Sequence, residues 1–523
     1  MIAQFRFTRP HSPAIRLTMT AAAVAAVLTL TGCASISVDD AKLQPDAIRA
    51  TVQADKTALT RDIEPLTGAL TLEEAIARAV KYNADVRYKA MEQAVAMGTF
   101  EAGKYDQLPK LVAAAGYHTR NNDLITRSTD SVTGAPSLAH PFISSSRNTL
   151  TSELGFSWSL LDFGQSYYAA RQNADRVLIS AERRRKAANN LVQDVRTAYW
   201  RVVAAQKLLP ALRTAIEESE VALQNARQAE QDNLKSPLEP LRYERQLLEN
   251  LRLLESITQE LSSARVELAS LTALPFGQPI EVVEPAVAAT GAWLDVPAER
   301  LEEMALLRNP DLREGMYNAH IAQQETRRAL LKLFPGISFN AAYKHSNDSY
   351  LIHQNWNEAG AQISFNLLGL LAAPAQMRLA DAGVALAEQH RMALQMAVLT
   401  QLHLARLQLA NASQQFGRAD AIAKVDGRIT QHIVNQEQAR KQSQAERVAQ
   451  QTANVLSQLR RYQALSNLQT AASRLQATIG LEPVLSEPSS ASLATLTAAV
   501  ARSLKEWDAG KLPDTNTVPE GAR

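Results

Sequence analysis

Two hydrophobic periods alternate along this chain. From Leu154 to Leu160 the apolar residues Leu154, Phe156, Trp158 and Leu160 alternate with Gly155, Ser157 and Ser159. That period of two gives a strand with one apolar face. Beyond it, Leu191, Val195, Ala198, Val202, Ala205 and Leu209 step by four and three, the spacing of a coiled-coil seam. The pattern predicts a strand over about 149–161 and a helix from about Ser166 to Asp232, joined by a bend at Asp162, Phe163 and Gly164. Such a helix spans ~100 Å at 1.5 Å per residue, and Pro210 within it removes one backbone bond and is expected to kink it.

Both patterns occur twice. Ser157-Trp158-Ser159-Leu160-Leu161-Asp162-Phe163 lies over Ser364-Phe365-Asn366-Leu367-Leu368-Gly369-Leu370, and the seam recurs as Val398, Leu402, Ala405, Leu409, Ala412 and Phe416. The same offset relates Ser236 to Ser443 and Leu274 to Leu481. Nearer the N-terminus a second constant offset relates Asn83-Ala84-Asp85 to Asn309-Pro310-Asp311, Pro109 to Pro335 and Tyr117 to Tyr343. The two offsets differ by residues missing from one polar loop, so the chain is a duplication with a shorter second loop.

The remaining elements fill this frame. Thr71 with Glu74 forms a capping box ahead of a helix carried to about Asp106. The first repeat then occupies 70–275, with strands at about 110–120 and 149–161, an aperiodic polar loop between them, a turn over Asp232 to Pro240 and a helix ending near Ala273. A linker at 276–296 leads to the second repeat at 297–481, with strands at about 336–345 and 358–368. Residues 482–523 form a tail with a short helix around Leu493 to Lys505.

Composition narrows the class. Among 523 residues aromatics make up 5%, which with abundant Ala, Gln, Leu and Arg favours long helices, and the net charge of +2 argues against nucleic acid as a partner. The run Arg183 to Lys186 is expected to be a solvated helix face. The single cysteine, Cys33, excludes an intrachain disulfide. Arg6, Arg9 and Arg16 precede an apolar run from Leu17 to Leu30, the layout of a signal peptide over 1–32. Leu30-Thr31-Gly32-Cys33 resembles the bacterial lipobox, which implies a lipid-modified Cys33 at a new N-terminus, a tether over 33–69, and, with Ala34 following, sorting to the outer membrane.

Strands of about ten residues with one apolar and one polar face fit a tilted crossing of a bilayer. On the polar side stand Ser338, Asn340, Gln362, Ser364 and Asn366, while Trp158, Tyr343 and Phe365 are expected to face lipid. Four strands cannot close, and an open edge in lipid leaves backbone groups unsatisfied, so other copies must complete a barrel. Three copies would supply twelve strands and leave a pore.

The order of elements, Leu72-Glu73-Glu74-Ala75, the Asn83/Asp85 and Asn309/Asp311 pairs, and Leu160-Leu161-Asp162-Phe163-Gly164 together resemble the TolC family of outer-membrane factors. The resemblance implies a mainly α fold with a transmembrane β-barrel: a homotrimer whose twelve-stranded barrel runs into a long periplasmic α-barrel. It also implies a passive export duct of a tripartite efflux or type I secretion system, working with a periplasmic adaptor and an inner-membrane pump or secretion ATPase. The alternative is a structural, periplasm-spanning helical lipoprotein without conduction.

Two departures stand out. The first periplasmic tip reads Gln231-Asp232-Asn233-Leu234-Lys235-Ser236, with Asn233 where the family usually has Gly, and the second, around Arg440 and Lys441, lacks the pattern. Asp232, Asn233, Lys235, Arg440 and Lys441 are the candidate tip or gate residues. Asp162, Gly164 and Gly369 are the candidate barrel-to-helix bends, with Gly369 standing where the first repeat has Asp162. No catalytic constellation, phosphate-binding loop or zinc motif occurs; His345 and His353 read as exposed polar residues, and no cofactor is implied.

Overall fold

The computed structural model describes residues 42–126, 129–136, 142–231, 238–286, 292–438, 444–483 and 491–513. Cys33 and the candidate tip residues Asp232, Asn233, Lys235, Arg440 and Lys441 lie outside them. The chain divides into two units, Met1–Glu64 and Pro65–Arg523. The first carries helix α1 (Pro45–Thr60), which starts on a proline and buries none of its side chains.

The second unit opens with α2 (Leu72–Tyr82). Thr71 accepts the Glu74 N–H at its start, and Leu72, Ala75, Ile76, Ala79 and Val80 are buried. The helix does not continue to Asp106. Asn83 leaves the helical conformation and its side chain accepts from the N–H groups of Asp85 and Val86, so a new helix, α3 (Ala84–Tyr105), begins there. An N-cap asparagine is a start signal, which is why the chain breaks at that residue.

Strands β1 (Lys110–Thr119), β2 (Ile125–Thr126), β3 (Phe142–Ile143) and β4 (Asn148–Ser159) follow, and β2 and β3 pair inside the loop that its composition marks as aperiodic. Helix α4 (Leu160–Gln231) has 72 residues and runs through Pro210. Helices α5 (Leu238–Ser262) and α6 (Ala264–Thr272) return, where one helix was expected. The expected linker is partly structured: Ile280, Val282 and Trp293 are buried, Leu70 and Val282 form a parallel bridge, and α7 (Ala292–Asp295) lies within it.

The second repeat comprises α8 (Ala298–Arg308), α9 (Pro310–Leu331), β5 (Gly336–Ser346), β6 (Asn355–Ser364), α10 (Gly369–Gln438) and α11 (Gln444–Thr478). Helix α12 (Leu493–Asp508) follows, capped by Ser492, and packs on α2 through Leu493, Leu496, Val500, Leu504 and Trp507.

The core is helical. Helix α4 packs against α3, α5, α9 and α11. Val195, Tyr199, Trp200, Val202, Leu208 and Leu212 on it, with Leu254, Leu268, Leu465 and Leu475 opposite, are buried. Each large apolar side chain so buried contributes ~1.5–3 kcal/mol. The Tyr199 hydroxyl donates to the carbonyls of Leu70 and Val283, which ties the interrepeat segment to α4. No described helix is long and apolar enough to cross a membrane.

Candidate channel wall and its joints

The four longer strands form one antiparallel sheet in the order β1-β4-β5-β6. Because directly opposed residues share a face, the register sorts the side chains. Leu111 opposes Phe156, Ala113 opposes Leu154, and Tyr117 opposes Leu150; Trp158 opposes Phe339, Leu154 opposes Tyr343, and Phe339 opposes Ala361. That face is apolar. On the other, Ser157 opposes Asn340, Ser159 opposes Ser338, Ser338 opposes Gln362, Gly336 opposes Ser364, and Glu153 opposes Lys344. Strand β6 ends at Ser364 and starts at Asn355, so the expected range of 358–368 is displaced: residues 365–368 form the turn that leads into α10.

The polar face carries charged residues, Lys110 opposite Ser157 and a cluster around Lys344. Lys344 Nζ lies 2.8 Å from Glu358 Oε2 and directly across from Glu153, and Trp356 stands opposite Lys344 on the same face. The apolar face ends in aromatics. Trp158 stacks on Phe339 with centroids 6.3 Å apart and meets Phe163 edge-on at 6.0 Å. Offset and edge-to-face pairs of this kind add to area burial.

The strand-to-helix joints differ from their expected form. Asp162 and Gly164 lie inside α4, which starts at Leu160, Asp162 in its first turn and Gly164 just beyond it. The cap is Ser159, whose hydroxyl accepts the Asp162 N–H at 3.2 Å. In the second repeat Asn366 occupies the matching position and accepts the Gly369 N–H at 2.9 Å, so Gly369 opens α10. The sequence reading missed both caps, although Ser or Asn just before a helical run is a known start signal. Gly164 answers a packing need: a Cβ there would stand 2.9 Å from Leu331 Cδ1, at the end of α9. The adjacent Gln165 donates to the Arg328 carbonyl at 2.8 Å.

At the far ends of β4 and β5 the loops lock together. Asp348 accepts from Ser145 Oγ at 2.9 Å, from Ser146 N and Oγ at 3.0 and 2.9 Å, and from Tyr350 N at 3.1 Å. With the Ser146 and Tyr350 N–H groups donating to it, its carboxyl is held down at about 2. Arg147 grips Asp123 through two bonds of 2.6 and 2.7 Å. His345 bonds Asn355 at 2.7 Å, and among the described residues no His, Cys, Asp and Glu cluster could hold a metal.

The basic run on α4 is an ion-pair network rather than a solvated face. Arg185 bonds Glu482 at 2.9 Å and Glu182 at 2.5 Å, Glu182 also receives Arg313 at 2.5 Å, Arg183 meets Glu314 and Lys186 meets Asp311, each at 2.7 Å. Glu182 and Arg185 are buried. Toward the ends of the long helices, Arg447 of α11 joins Glu218 of α4 to Glu437 of α10, and Arg227 meets Glu244 at 2.9 Å. Sequence spacing gives no sign of these cross-helix partners.

Residues 75–274 match the family model described as outer membrane efflux protein. This stretch is similar to that family. The matched stretch is the first repeat, and solved structures extend the fold over the second. The Campylobacter jejuni CmeC outer membrane channel superposes with a TM-score of 0.60 at 13% identity, covering 84% of this chain and 90% of its own. The Neisseria gonorrhoeae MtrE outer membrane channel in its open state gives 0.56 at 16% identity, covering 78% and 90%. The outer-membrane channel OprN gives 0.59 at 15%, covering 78% and 89%. No curated protein sequence matches the chain. The efflux-protein fold of this chain is therefore mainly helical, with long helices carrying a small antiparallel sheet.

Proposed function

We propose that this chain is the outer-membrane channel of a tripartite efflux system. One observation carries the reading: a sheet with one apolar and one polar face is open at β1 and β6 and continues through capped joints into helices of 72 and 70 residues. In a bilayer the open edges require pairing. Three copies, with β6 of one beside β1 of the next, close a twelve-stranded barrel with its polar face toward the lumen. The helices, at 1.5 Å per residue, reach roughly 100 Å into the periplasm.

The uncovered side of α10 supports assembly. Leu379, Leu386 and Leu404 are 74%, 72% and 51% exposed and recur at whole helical turns, so they share one face. Large apolar side chains left exposed along one helix face are consistent with an interaction surface. In this reading Asp232, Asn233, Lys235, Arg440 and Lys441 form the periplasmic tip where an adaptor, coupled to an inner-membrane pump or secretion ATPase, docks and opens the duct. Cys33 carries acyl chains that hold the chain to outer-membrane lipid, each buried CH₂ contributing ~0.8 kcal/mol.

Planar-bilayer conductance of the purified protein tests the duct, with a variant carrying Asp232→Asn and Arg440→Gln expected to conduct more. A protein that is not a trimer and conducts in neither form refutes the reading. Lipidation is tested separately: a Cys33→Ser chain that still incorporates palmitate would exclude the anchor.

A further inference from the structure

The apolar face of the sheet continues onto the helices as a line of side chains. Trp158, the last apolar-face residue of β4, meets Phe163 edge-on at 6.0 Å. Tyr167 and Arg171 follow Phe163 at intervals of four, so the three share one face of α4. Phe163 and Tyr167 are exposed, and the Arg171 guanidinium lies 5.2 Å from the centre of the Tyr167 ring. Helix α9 carries a second line: His320, Arg327 and Leu330 step by seven and three along one face, and exposed Phe334 follows. His320 Nδ1 is 3.8 Å from Asp175 Oδ1, one turn beyond Arg171 on α4, which sets the two lines side by side.

The two arginines on these lines differ from their neighbours in partner. Arg183, Arg185, Arg313 and Arg328 of the same helices are all in ion pairs. Among the described residues no ion pair or side-chain hydrogen bond engages Arg171 or Arg327, and both are exposed. Depth restricts what can meet them. Along α4, Tyr167 lies ~6 Å and Arg171 ~12 Å beyond Phe163 at 1.5 Å per residue, and a helical side chain leans toward its own N-terminus, here back toward the sheet. The bond from Gln165 to the Arg328 carbonyl holds Arg327 level with this stretch. Headgroups add about 5–8 Å to each side of the hydrocarbon of a bilayer. With Trp158 and Phe163 at the edge of the hydrocarbon, Tyr167 falls among the headgroups and both guanidiniums reach them.

We infer that Arg171 and Arg327 form a headgroup site for an anionic phospholipid of the membrane's periplasmic leaflet, its phosphate on the two guanidiniums and an acyl chain along Phe163 and Trp158. A second copy of the chain does not suit the place: α4 and α9 adjoin the middle strands β4 and β5, away from the edges β1 and β6 where copies meet. The site rests on the barrel reading given above, which puts the apolar face of the sheet in lipid.

Electron spin resonance of spin-labelled lipids around the full chain in phosphatidylcholine bilayers tests it, comparing labelled phosphatidylglycerol with labelled phosphatidylcholine. Phosphatidylglycerol should associate about fivefold more strongly, the discrimination that one cation at an anionic surface provides. Arg171→Gln with Arg327→Gln should bring the two lipids to parity, while the immobilised phosphatidylcholine stays at the parent level, which shows that the variant is folded and inserted. Arg252→Gln with Arg265→Gln, at two exposed cations of α5 and α6, should leave the preference intact. Equal immobilisation of the two lipids by the parent overturns the site alone, whereas immobilisation of neither overturns the barrel reading and the site with it. A preference that survives the first pair of substitutions, or that falls as far in the second, belongs to charge elsewhere and overturns the site. Loss of the trimer in the first pair would make the arginines a contact between copies and overturn it too.

Discussion

The two repeats agree at their joints and differ on their faces. Asn83 and Asn309 cap their helices with the same pair of bonds, and each reaches back to a helix-end carbonyl, Leu271 or Thr478. Ser159 and Asn366 cap both long helices. Leu274 and Leu481 each donate their N–H five residues back, to Ala269 and Gln476, closing both returning helices. The faces have diverged: α4 is enclosed by four long elements, whereas α10 packs on α9 and α11 and leaves an apolar stripe open. A joint is fixed by local backbone geometry, so both copies retain it. A face is fixed by its neighbour, and the two long helices have different neighbours.

The largest expected effect therefore comes from the open face. Leu379→Glu with Leu386→Glu places two charges where we put a second copy, and light scattering in detergent should find monomer in place of trimer. A trimer that persists would assign the stripe to another occupant. Next comes the network that joins α4 of the first repeat to α9 of the second. Glu182→Ala leaves Arg185 and Arg313 without their shared carboxylate, and removing one partner of a buried pair costs ~3–5 kcal/mol. The corresponding position of the second repeat is Gln389, where alanine should change the thermal midpoint little.

A sharper comparison uses the ends of the returning helices. Ala273 and Gly480 occupy the same repeat position, and both are left-handed, with φ of 55° and 73°. Only Gly480 is pressed against backbone: a Cβ there would lie 2.4 Å from the Arg308 carbonyl oxygen. Gly480→Ala should cost roughly 2–4 kcal/mol, combining left-handed strain with overpacking. Ala273→Gly relieves strain and should be neutral to about 1 kcal/mol stabilising. Thermal unfolding of the pair measures both, and equal effects would mean that local geometry alone sets the cost.

The same distinction explains how much could be read from the sequence. Strand alternation, the seams Val195 to Ala205 and Val398 to Leu409, and the duplication are periodic signals, and periodicity survives in a single chain. Gly164 and Asp162 interrupt the alternation visibly and so read as bends, while the caps Ser159 and Asn366 look like ordinary polar positions of a strand. The role of Gly164 depends on Leu331, which is remote in sequence. The network of Glu182, Arg185, Arg313 and Glu482 depends on helices meeting across the duplication. A run of arginines carries no mark that says which of its members is buried.

The smallest effect concerns the loops, where the repeats differ in length. The long first loop is held to the short second one by Asp348, through Ser145 and Ser146. Its carboxyl lies at about 2 in the folded protein against an ordinary 3.8. A depressed carboxyl contributes stability that is complete above the ordinary value and is lost as pH falls through the folded one. The latch should therefore hold at neutral pH and release between about pH 4 and pH 2. Limited proteolysis of the first loop by pepsin should accelerate across that window. Asp348→Asn should raise cleavage at pH 4 and flatten the dependence, because an amide keeps the shape but not the charge that the two N–H groups address. If the variant shows the same pH profile as the parent, the latch does not depend on that charge, and the first loop is held by Arg147 and Asp123 instead.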